Sequence, residues 1–413
     1  MFEFGRDLRK LFAQARESED LSWLELIGAN LVEAEARAQS VDAGRVSCRK
    51  PMDAALRAAA LWREQARRSG RRVALDKAKS AAEDAARRAV TPDAHARTTI
   101  ERVRVLLLDF DLFGRAQALA EAGALIEATQ PPARDLGAQL AAVHARVAAR
   151  RQRLVGDVAA LMDAAALMDA AEHDSRHALP RDQAEDLQLD RAALLLEGGV
   201  LQRDARLLDQ AGRELSLLVE AASPDYRPLT RARALMLCAA GLAGLAALAH
   251  DDAAAAQACV LFDAAAEQFT PDHSPLDWAA IQIARAGDPQ ASLTALMQAE
   301  ALAAEPGSIL GALARERRVS LQVEAAEAAG DKTMLDSMAE QLKRRLSVGQ
   351  TPIDWAADQI GLVRVGLARQ ALGGPAMMGV GLVLIEAADA ARDWGAPALA
   401  DRAMRLLPSR QTV

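Results

Sequence analysis

The chain has 413 residues, of which 51% are hydrophobic but only 3% aromatic, and its formal net charge is −7. Ala and Leu supply most of the apolar residues and favour helices, whereas the β-branched and aromatic residues that favour strands are few. Nucleic-acid-binding domains are usually basic or carry aromatic stacking platforms. The composition therefore predicts an all-α protein and disfavours nucleic acid as its partner.

The first twelve residues, "MFEFGRDLRKLF", form an amphipathic pattern. On a helix Phe4, Leu8, Leu11 and Phe12 share one stripe, with basic residues elsewhere. Such a helix can lie on a membrane surface or cap the exposed end of a helical repeat array. The segment lacks the apolar centre of a signal peptide, so we expect a cytoplasmic protein.

The first part of the chain is basic and the remainder acidic. Residues 1–155 hold 27 Lys/Arg and 21 Asp/Glu, whereas residues 156–413 hold 23 and 36. Two basic clusters, at 62–72 and 145–153, are interpreted as solvated helix faces, with an acidic protein partner as the alternative. We predict an N-terminal helical region over 1–90, either a cap or the first repeat units. Helical repeats are predicted over 91–413.

Nearly the same nine residues occur twice, as "SPLDWAAIQ" from Ser274 and "TPIDWAADQ" from Thr351. The hydroxyl residue suits the N-cap of a helix, and the following proline suits the first helical position, where no N–H is needed. Asp at the third position completes a capping-box spacing and favours the helix dipole. Each stretch therefore predicts a helix start, with Trp278 or Trp355 as its first large core residue.

Proline-marked breaks recur along the chain and alternate with Gly- or Asp-marked breaks. Prolines 92, 131, 180, 228, 275, 306 and 352 are separated by 39, 49, 48, 47, 31 and 46 residues. A pair of helices with its turns needs about 40 residues. A single helical pair cannot bury its own apolar face, so neighbouring pairs must stack. The pattern predicts stacked antiparallel helix pairs in degenerate repeats of about 39–49 residues.

The D-W-A-x-x-Q pattern after a proline resembles the opening of a bacterial form of the tetratricopeptide repeat, with Trp278 and Trp355 beginning first helices. The chain departs from that family in its longer units and in its blurred Leu-Gly pair. The resemblance implies a right-handed α-solenoid whose first helices line a concave surface. It implies a protein–protein interaction scaffold or adaptor, which grips a peptide or a partner helix. Polar residues on these helices are the candidate contacts: Gln282, Arg285, Gln359 and Arg364.

Signals for catalysis, cofactors and metals are weak. His173 and His177 have an i, i+4 spacing but no further ligands in view, and they suit a helix end. The glycines of "GGPAMMGVG" lack the Lys-Ser/Thr of a phosphate loop. The sequence therefore predicts a non-enzymatic protein with no cofactor and no metal. Two alternatives stay open: a membrane-surface adaptor docking peripherally through residues 1–12, and a helical enzyme whose site forms from distant side chains.

Two further features concern the compartment. The three cysteines have no ligand-like spacing and suggest small buried thiols in a reducing environment. The uncharged run from Ala234 to His250 is shorter than the roughly 20 residues that span a bilayer, and it predicts a buried helix.

Overall fold

Helices account for the regular structure of the described residues. The computed structural model describes residues 20–130, 134–174, 178–285, 289–346 and 349–407, and no strand occurs among them. In this part of the chain a short 3-10 helix, Ser22–Leu26, precedes eighteen α-helices. Their bounds are α1 Ala29–Gly44, α2 Pro51–Ser69, α3 Arg72–Arg88, α4 Pro92–Phe113, α5 Ala116–Glu127, α6 Arg134–Val155, α7 Val158–Asp174, α8 Arg181–Gln202, α9 Ala205–Ala221, α10 Pro228–Ala249, α11 Asp252–Gln268, α12 Pro275–Ala284, α13 Pro289–Leu302, α14 Ile309–Ala329, α15 Lys332–Arg345, α16 Pro352–Ala371, α17 Val380–Asp393 and α18 Pro397–Arg405. The all-α class predicted from composition is confirmed.

The chain forms two compact units, each built from separate stretches of sequence. Unit 1 takes the chain up to Glu64, then Lys77–Arg104 and Ala122–Ser274. Unit 2 takes Gln65–Asp76, Val105–Glu121 and the chain from Pro275 onward. The predicted division at residue 90 into an N-terminal region and a repeat region remains a prediction.

In unit 1 the helices from α6 to α11 pack as consecutive pairs. Each contacts the next along the chain, and α8 also contacts both α6 and α10. The helices α6, α8 and α10 therefore lie side by side as the first members of three pairs. They begin at residues 134, 181 and 228, so each start follows the previous one by 47 residues (181 − 134 and 228 − 181).

Unit 2 shows the same order of contacts from α12 to α18. Each helix contacts the next, and α14 also contacts both α12 and α16. This arrangement, in which alternate helices touch and the intervening helix bridges them, is compatible with a helical repeat.

Small residues let these helices approach closely. In unit 1 Ala145, Ala149 and Ala211 are fully buried among larger leucines. A Cβ added at Gly241 of α10 would lie 2.8 Å from Leu196 Cδ2 on α8, too close for a real contact. The alanine-rich composition thus gives a narrow core between neighbouring helices, in which small volume changes are costly.

The predicted helix starts are confirmed where the caps are described. Thr351 Oγ1 accepts from the backbone N–H of Asp354 at 3.3 Å, and Pro352 is the first residue of α16. Asp204, Asp251 and Asp331 cap α9, α11 and α15 through backbone N–H groups of their first turns. These carboxylates satisfy amide groups that have no partner within the helix.

A buried ion-pair network ties the 3-10 helix to α8 and α10 within unit 1. Glu25 accepts from Arg227 Nε at 3.0 Å and from the backbone N–H of Thr230 at 2.9 Å. Arg227 also pairs with Glu185 of α8, whose pKa is raised by burial. Nearby, the backbone N–H of Ala29 donates to the carbonyl of Asp272 at 3.1 Å. The start of the described chain is therefore joined to a segment far along the sequence, since Glu25 and Arg227 are 202 residues apart.

Helix α10 contains the apolar run noted in the sequence. Among the described residues it is the one helix long and apolar enough to cross a membrane by length and composition. It packs against α8, α9 and α11 in unit 1, and buried residues such as Leu229, Ala234 and Ala239 lie along it. The remaining residues of the run are partly or fully exposed, so the buried helix predicted from the sequence is buried on only part of its surface.

The two repeated tryptophans pack in unit 2 but are only partly buried. Trp278 lies against a cluster that includes Ile283 and Leu296, and Trp355 lies against the cluster of α16, α17 and α18. Both therefore serve as core-edge residues, and both keep some contact with solvent.

We expect Trp355→Ala to lower the free energy of unfolding by about 3 kcal/mol, the lower end of the range for large aromatic residues because Trp355 is not fully enclosed. Urea unfolding measures the loss, and the exposed Leu382 of α17 provides a matched variant, Leu382→Ala, expected to change little. Hydrogen exchange should rise first in α16, α17 and α18. A uniform rise along the whole chain would contradict the packing described above, in which each helix contacts mainly its neighbours.

Candidate functional site

A cleft of about 700 Å³ lies in unit 1, a volume typical of ligand-binding clefts. Four alternate helices, α2, α4, α6 and α8, contribute to its wall, together with residues of α1 and its flanking segments. We call it the α2–α8 cleft. Its lining residues are Leu21, Gln39, Cys48, Lys50, Asp53, Ala54, Leu56, Arg57, Ala60, Arg97, Ile100, Glu101, Arg104, Leu136, Gln139 and Gln183.

Polar contacts join the first two turns of alternate helices along the cleft. Arg97 Nη1 of α4 donates to Asp53 Oδ1 of α2 at 2.9 Å. Gln183 Nε2 of α8 donates to Gln139 Oε1 of α6 at 3.4 Å. These side chains face one another because alternate helices lie side by side. Both bonds join residues that are 44 positions apart in the sequence.

Glu101 of the cleft wall is bonded by an arginine that lies behind the wall. It is buried and accepts from Arg63 Nε of α2 at 2.8 Å. Burial works against the charge of Arg63, but the neighbouring Glu101 outweighs it and raises the pKa of the guanidinium. The carboxylate of Glu101 is therefore engaged by Arg63.

Arg104 lies in a different environment. Burial lowers the pKa of its guanidinium, and nearby Arg63 and Arg146 act in the same direction. Its nearest acidic contact is Glu101, at 3.8 Å. Arg104 is thus a charged, largely buried side chain with no short ion pair.

Two acceptors at the start of α8 have no partner among the described residues. The Oδ1 atom of Asp182 and the Oε1 atom of Gln183 are both buried and make no hydrogen bond. Burial raises the pKa of Asp182 to about 6, against the opposing effect of Arg104. Uncompensated buried polar atoms beside a cleft are typical of sites that receive a ligand.

Helices α6 and α8 are joined by a polar stripe that repeats every seven residues. Its contacts are Gln139–Gln183, Arg146–Asp190 at 2.6 Å and Arg153–Glu197 at 2.6 Å, each between residues 44 positions apart. Seven residues are about two helical turns, so the stripe stays on one face of each helix. The contacts run in the same order along both helices, and the two helices are therefore parallel.

Asp190 is the centre of this stripe. Arg150 of α6 donates to both of its oxygens, at 2.5 and 2.9 Å, beside the bond from Arg146. Burial opposes ionisation of Asp190, but the two guanidinium groups hold its pKa well below the usual range. The basic cluster at 145–153, interpreted from sequence as a solvated face, is in this part an internal ion-pair layer, because its carboxylate partners lie 40 to 44 residues later.

Asp190→Asn is expected to lower the free energy of unfolding by about 3 kcal/mol at pH 7, because it leaves Arg146 and Arg150 without their carboxylate. Because the folded state depresses this pKa, the contribution is complete above the ordinary Asp pKa of about 4 and is lost as the pH falls further. Urea unfolding at pH 7 and pH 3 should therefore show wild type and variant converging in acid. Asp209→Asn, in an exposed pair with Arg213, is the control; equal losses for both variants would contradict the assignment.

The residues predicted from the repeated tryptophan motif lie in unit 2. Gln282 is in α12 and Arg285 directly follows it, while Gln359 and Arg364 are in α16. None of the four lines the α2–α8 cleft. Arg364 Nη2 donates to Oε1 of the buried Glu316 at 3.0 Å, and this bond engages much of its charge. Their role in partner binding stays a prediction.

The aspartate of the second tryptophan motif has a tertiary role that local spacing does not reveal. Asp354 accepts from Thr351 Oγ1 at 2.7 Å, a side-chain bond within the helix start. It also accepts from the backbone N–H of Gly307 at 2.8 Å and from Arg315 Nη1 at 3.0 Å. One carboxylate therefore fixes the start of α16 against α14 and the loop before it.

Other predicted features fall outside the described residues or find no counterpart within them. The stripe Phe4, Leu8, Leu11 and Phe12 lies outside the described residues, as does His177. No group of three metal-ligating side chains occurs in the part of the chain that the structure describes. Membrane docking through residues 1–12 stays a prediction.

No protein-family model matches the chain, and no curated protein matches its sequence. The resemblance to tetratricopeptide repeats that the quoted motif suggested therefore stays a prediction.

Proposed function

We propose that the protein is a non-catalytic scaffold or adaptor that binds a protein or peptide partner along its first helices. The observation that supports this function is the α2–α8 cleft, whose wall comes from four alternate helices, which we interpret as the first helices of successive pairs. In a right-handed α-solenoid, the architecture that we propose for this chain, first helices line the concave binding surface. The 47-residue interval between α6, α8 and α10 supports the interpretation of these helices as repeats.

The chemistry of the cleft suits a peptide better than a compact apolar ligand. Apolar side chains, among them Leu56, Ile100 and Leu136, alternate with charged and amide side chains along the wall. Such a mixed surface can pack side chains of a partner and also hydrogen-bond its polar groups. We propose a cytoplasmic location as well, which the unpaired cysteines support.

Filling the cleft tests this function. Gln139→Trp on α6 and Ala54→Trp on α2 add bulk to the wall, whereas Leu217→Trp adds the same ring at a residue of α9 that is 67% exposed. Affinity purification from the native cell with mass spectrometry should recover proteins with wild type and Leu217→Trp that both cleft variants lose. Circular dichroism confirms that the variants remain folded. Unchanged recovery by folded cleft variants would contradict binding in the cleft.

The same purification examines the sites predicted from the tryptophan motif. Alanine substitutions at Gln282, Arg285, Gln359 and Arg364 are compared with the cleft variants. Loss of the same partners from both sets would extend the binding surface to unit 2.

A further inference from the structure

The wall of the α2–α8 cleft carries more positive charge than it neutralises. Its cations are Lys50, Arg57, Arg97 and Arg104, and its carboxylates are Asp53 and Glu101. Asp53 is paired with Arg97, and Glu101 is paired with Arg63 from behind the wall. Three cations are left over. This surplus occurs in a chain whose overall charge is −7.

The surplus cations are not engaged elsewhere in the described structure. The ammonium of Lys50 and the guanidinium of Arg57 have no hydrogen-bond or ion-pair partner among the described residues. Arg104 has only the 3.8 Å contact with Glu101, although its side chain is just 11% exposed. A guanidinium buried to this extent is costly unless an anion compensates it.

A comparison of equivalent helix positions explains why Arg104 has no partner. Arg104 and Arg146 each lie 12 residues after the first residue of their helices (104 − 92 and 146 − 134). Arg146 finds Asp190, nine residues into α8 (190 − 181). The ninth position after the start of α6 holds the buried Val143 instead (143 − 134). The helix pair α4–α6 therefore keeps the arginine and lacks the carboxylate.

The remaining carboxylates of this region do not fill the gap. Asp186 contacts Arg146 at 3.5 Å, and Asp190 is bonded by Arg146 and Arg150. Asp182 makes no ion pair within 4 Å among the described residues, although Arg104 lies near enough to offset part of the rise that burial gives to its pKa. An anion entering the cleft would therefore meet Lys50, Arg57 and Arg104, none of which has a short ion pair with a carboxylate among the described residues.

The rest of the wall indicates what carries the anion. Among the described residues no aromatic side chain lines the cleft, so this part of the wall offers no platform on which a nucleic-acid base could stack. The apolar residues Leu21, Leu56, Ile100 and Leu136 lie among the cations. This alternation fits a chain that places acidic and apolar side chains within a few residues of each other.

We infer that the α2–α8 cleft binds an acidic, partly apolar segment of a protein partner, whose carboxylates pair with Lys50, Arg57 and Arg104. The inference rests on the proposed function and adds the chemistry of the partner. Charge pairing in a partly dry cleft gives selectivity over neutral segments and makes binding sensitive to salt.

Three fluorescein-labelled nine-residue peptides test the charge requirement: alternating Asp and Leu, alternating Asn and Leu, and alternating Lys and Leu. By fluorescence anisotropy with the full-length protein, the Asp peptide should bind about 10-fold or more tighter than the Asn peptide, and more weakly as salt increases. The Lys peptide should show no saturable binding. Equal affinities for the Asp and Asn peptides would overturn the inference, as would tighter binding of a labelled oligothymidylate.

Substitutions identify the residues responsible. Arg57→Gln and Arg104→Gln should each weaken binding of the Asp peptide about 10-fold and leave the Asn peptide unaffected. Lys50→Gln, at an exposed residue where folding is not at risk, should weaken it in the same direction. Arg213→Gln, which removes an exposed arginine of α9, is the matched control and should change nothing. Wild-type affinity in all three cleft variants would overturn the assignment.

The outcomes separate the inference from the function on which it rests. If the Asn and Asp peptides bind equally and Gln139→Trp abolishes both, peptide binding in the cleft stands and the charge inference fails. If no peptide binds and the cleft variants recover every wild-type partner from cells, the proposed function fails as well.

Discussion

Ion pairing between neighbouring first helices is the constraint on which the structure of unit 1 depends. Each ion pair joins one helix to the next alternate helix. The pairs are Asp53 with Arg97, Glu101 with Arg63, and Asp190 with Arg146 and Arg150. Most of these groups are largely buried, and a buried charge without its partner is strongly destabilising. The pairs therefore specify which helices pack together and their axial register. Cores rich in Ala and Leu leave both undetermined.

The candidate site is a consequence of the same constraint. Between α6 and α8 the stripe is complete, because Asp190 and Glu197 supply carboxylates to the arginines of α6. Between α4 and α6 it is interrupted, and Arg104 keeps its charge without a close acid. The α2–α8 cleft includes this interruption. In the inference made above, partner binding and structural pairing use the same side-chain chemistry, and they differ only in whether the carboxylate belongs to this chain.

Sequence patterns predicted the features that depend on near neighbours. The helix class, the proline-marked starts and the cap that Thr351 gives to the backbone of Asp354 all involve residues within about one turn of each other. The bonds from Gly307 and Arg315 to Asp354 involve residues 47 and 39 positions away, and no local spacing reveals them. The basic excess of residues 1–155 was visible in the sequence, but which arginines are paired was not. That distinction, which defines the candidate site, requires the packing of the helices.

The polar stripe also explains why the cleft does not extend to α10. Advancing the stripe positions of α8, Gln183, Asp190 and Glu197, by another 44 residues gives Arg227, Ala234 and Gly241. Ala234 is fully buried, and Gly241 lies where a Cβ would clash with Leu196 of α8. Arg227 is turned to structural use, since it bonds Glu25 and Glu185. Here small residues replace the charged ones and α10 packs directly on α8. The polar wall of the α2–α8 cleft therefore ends at the start of α8.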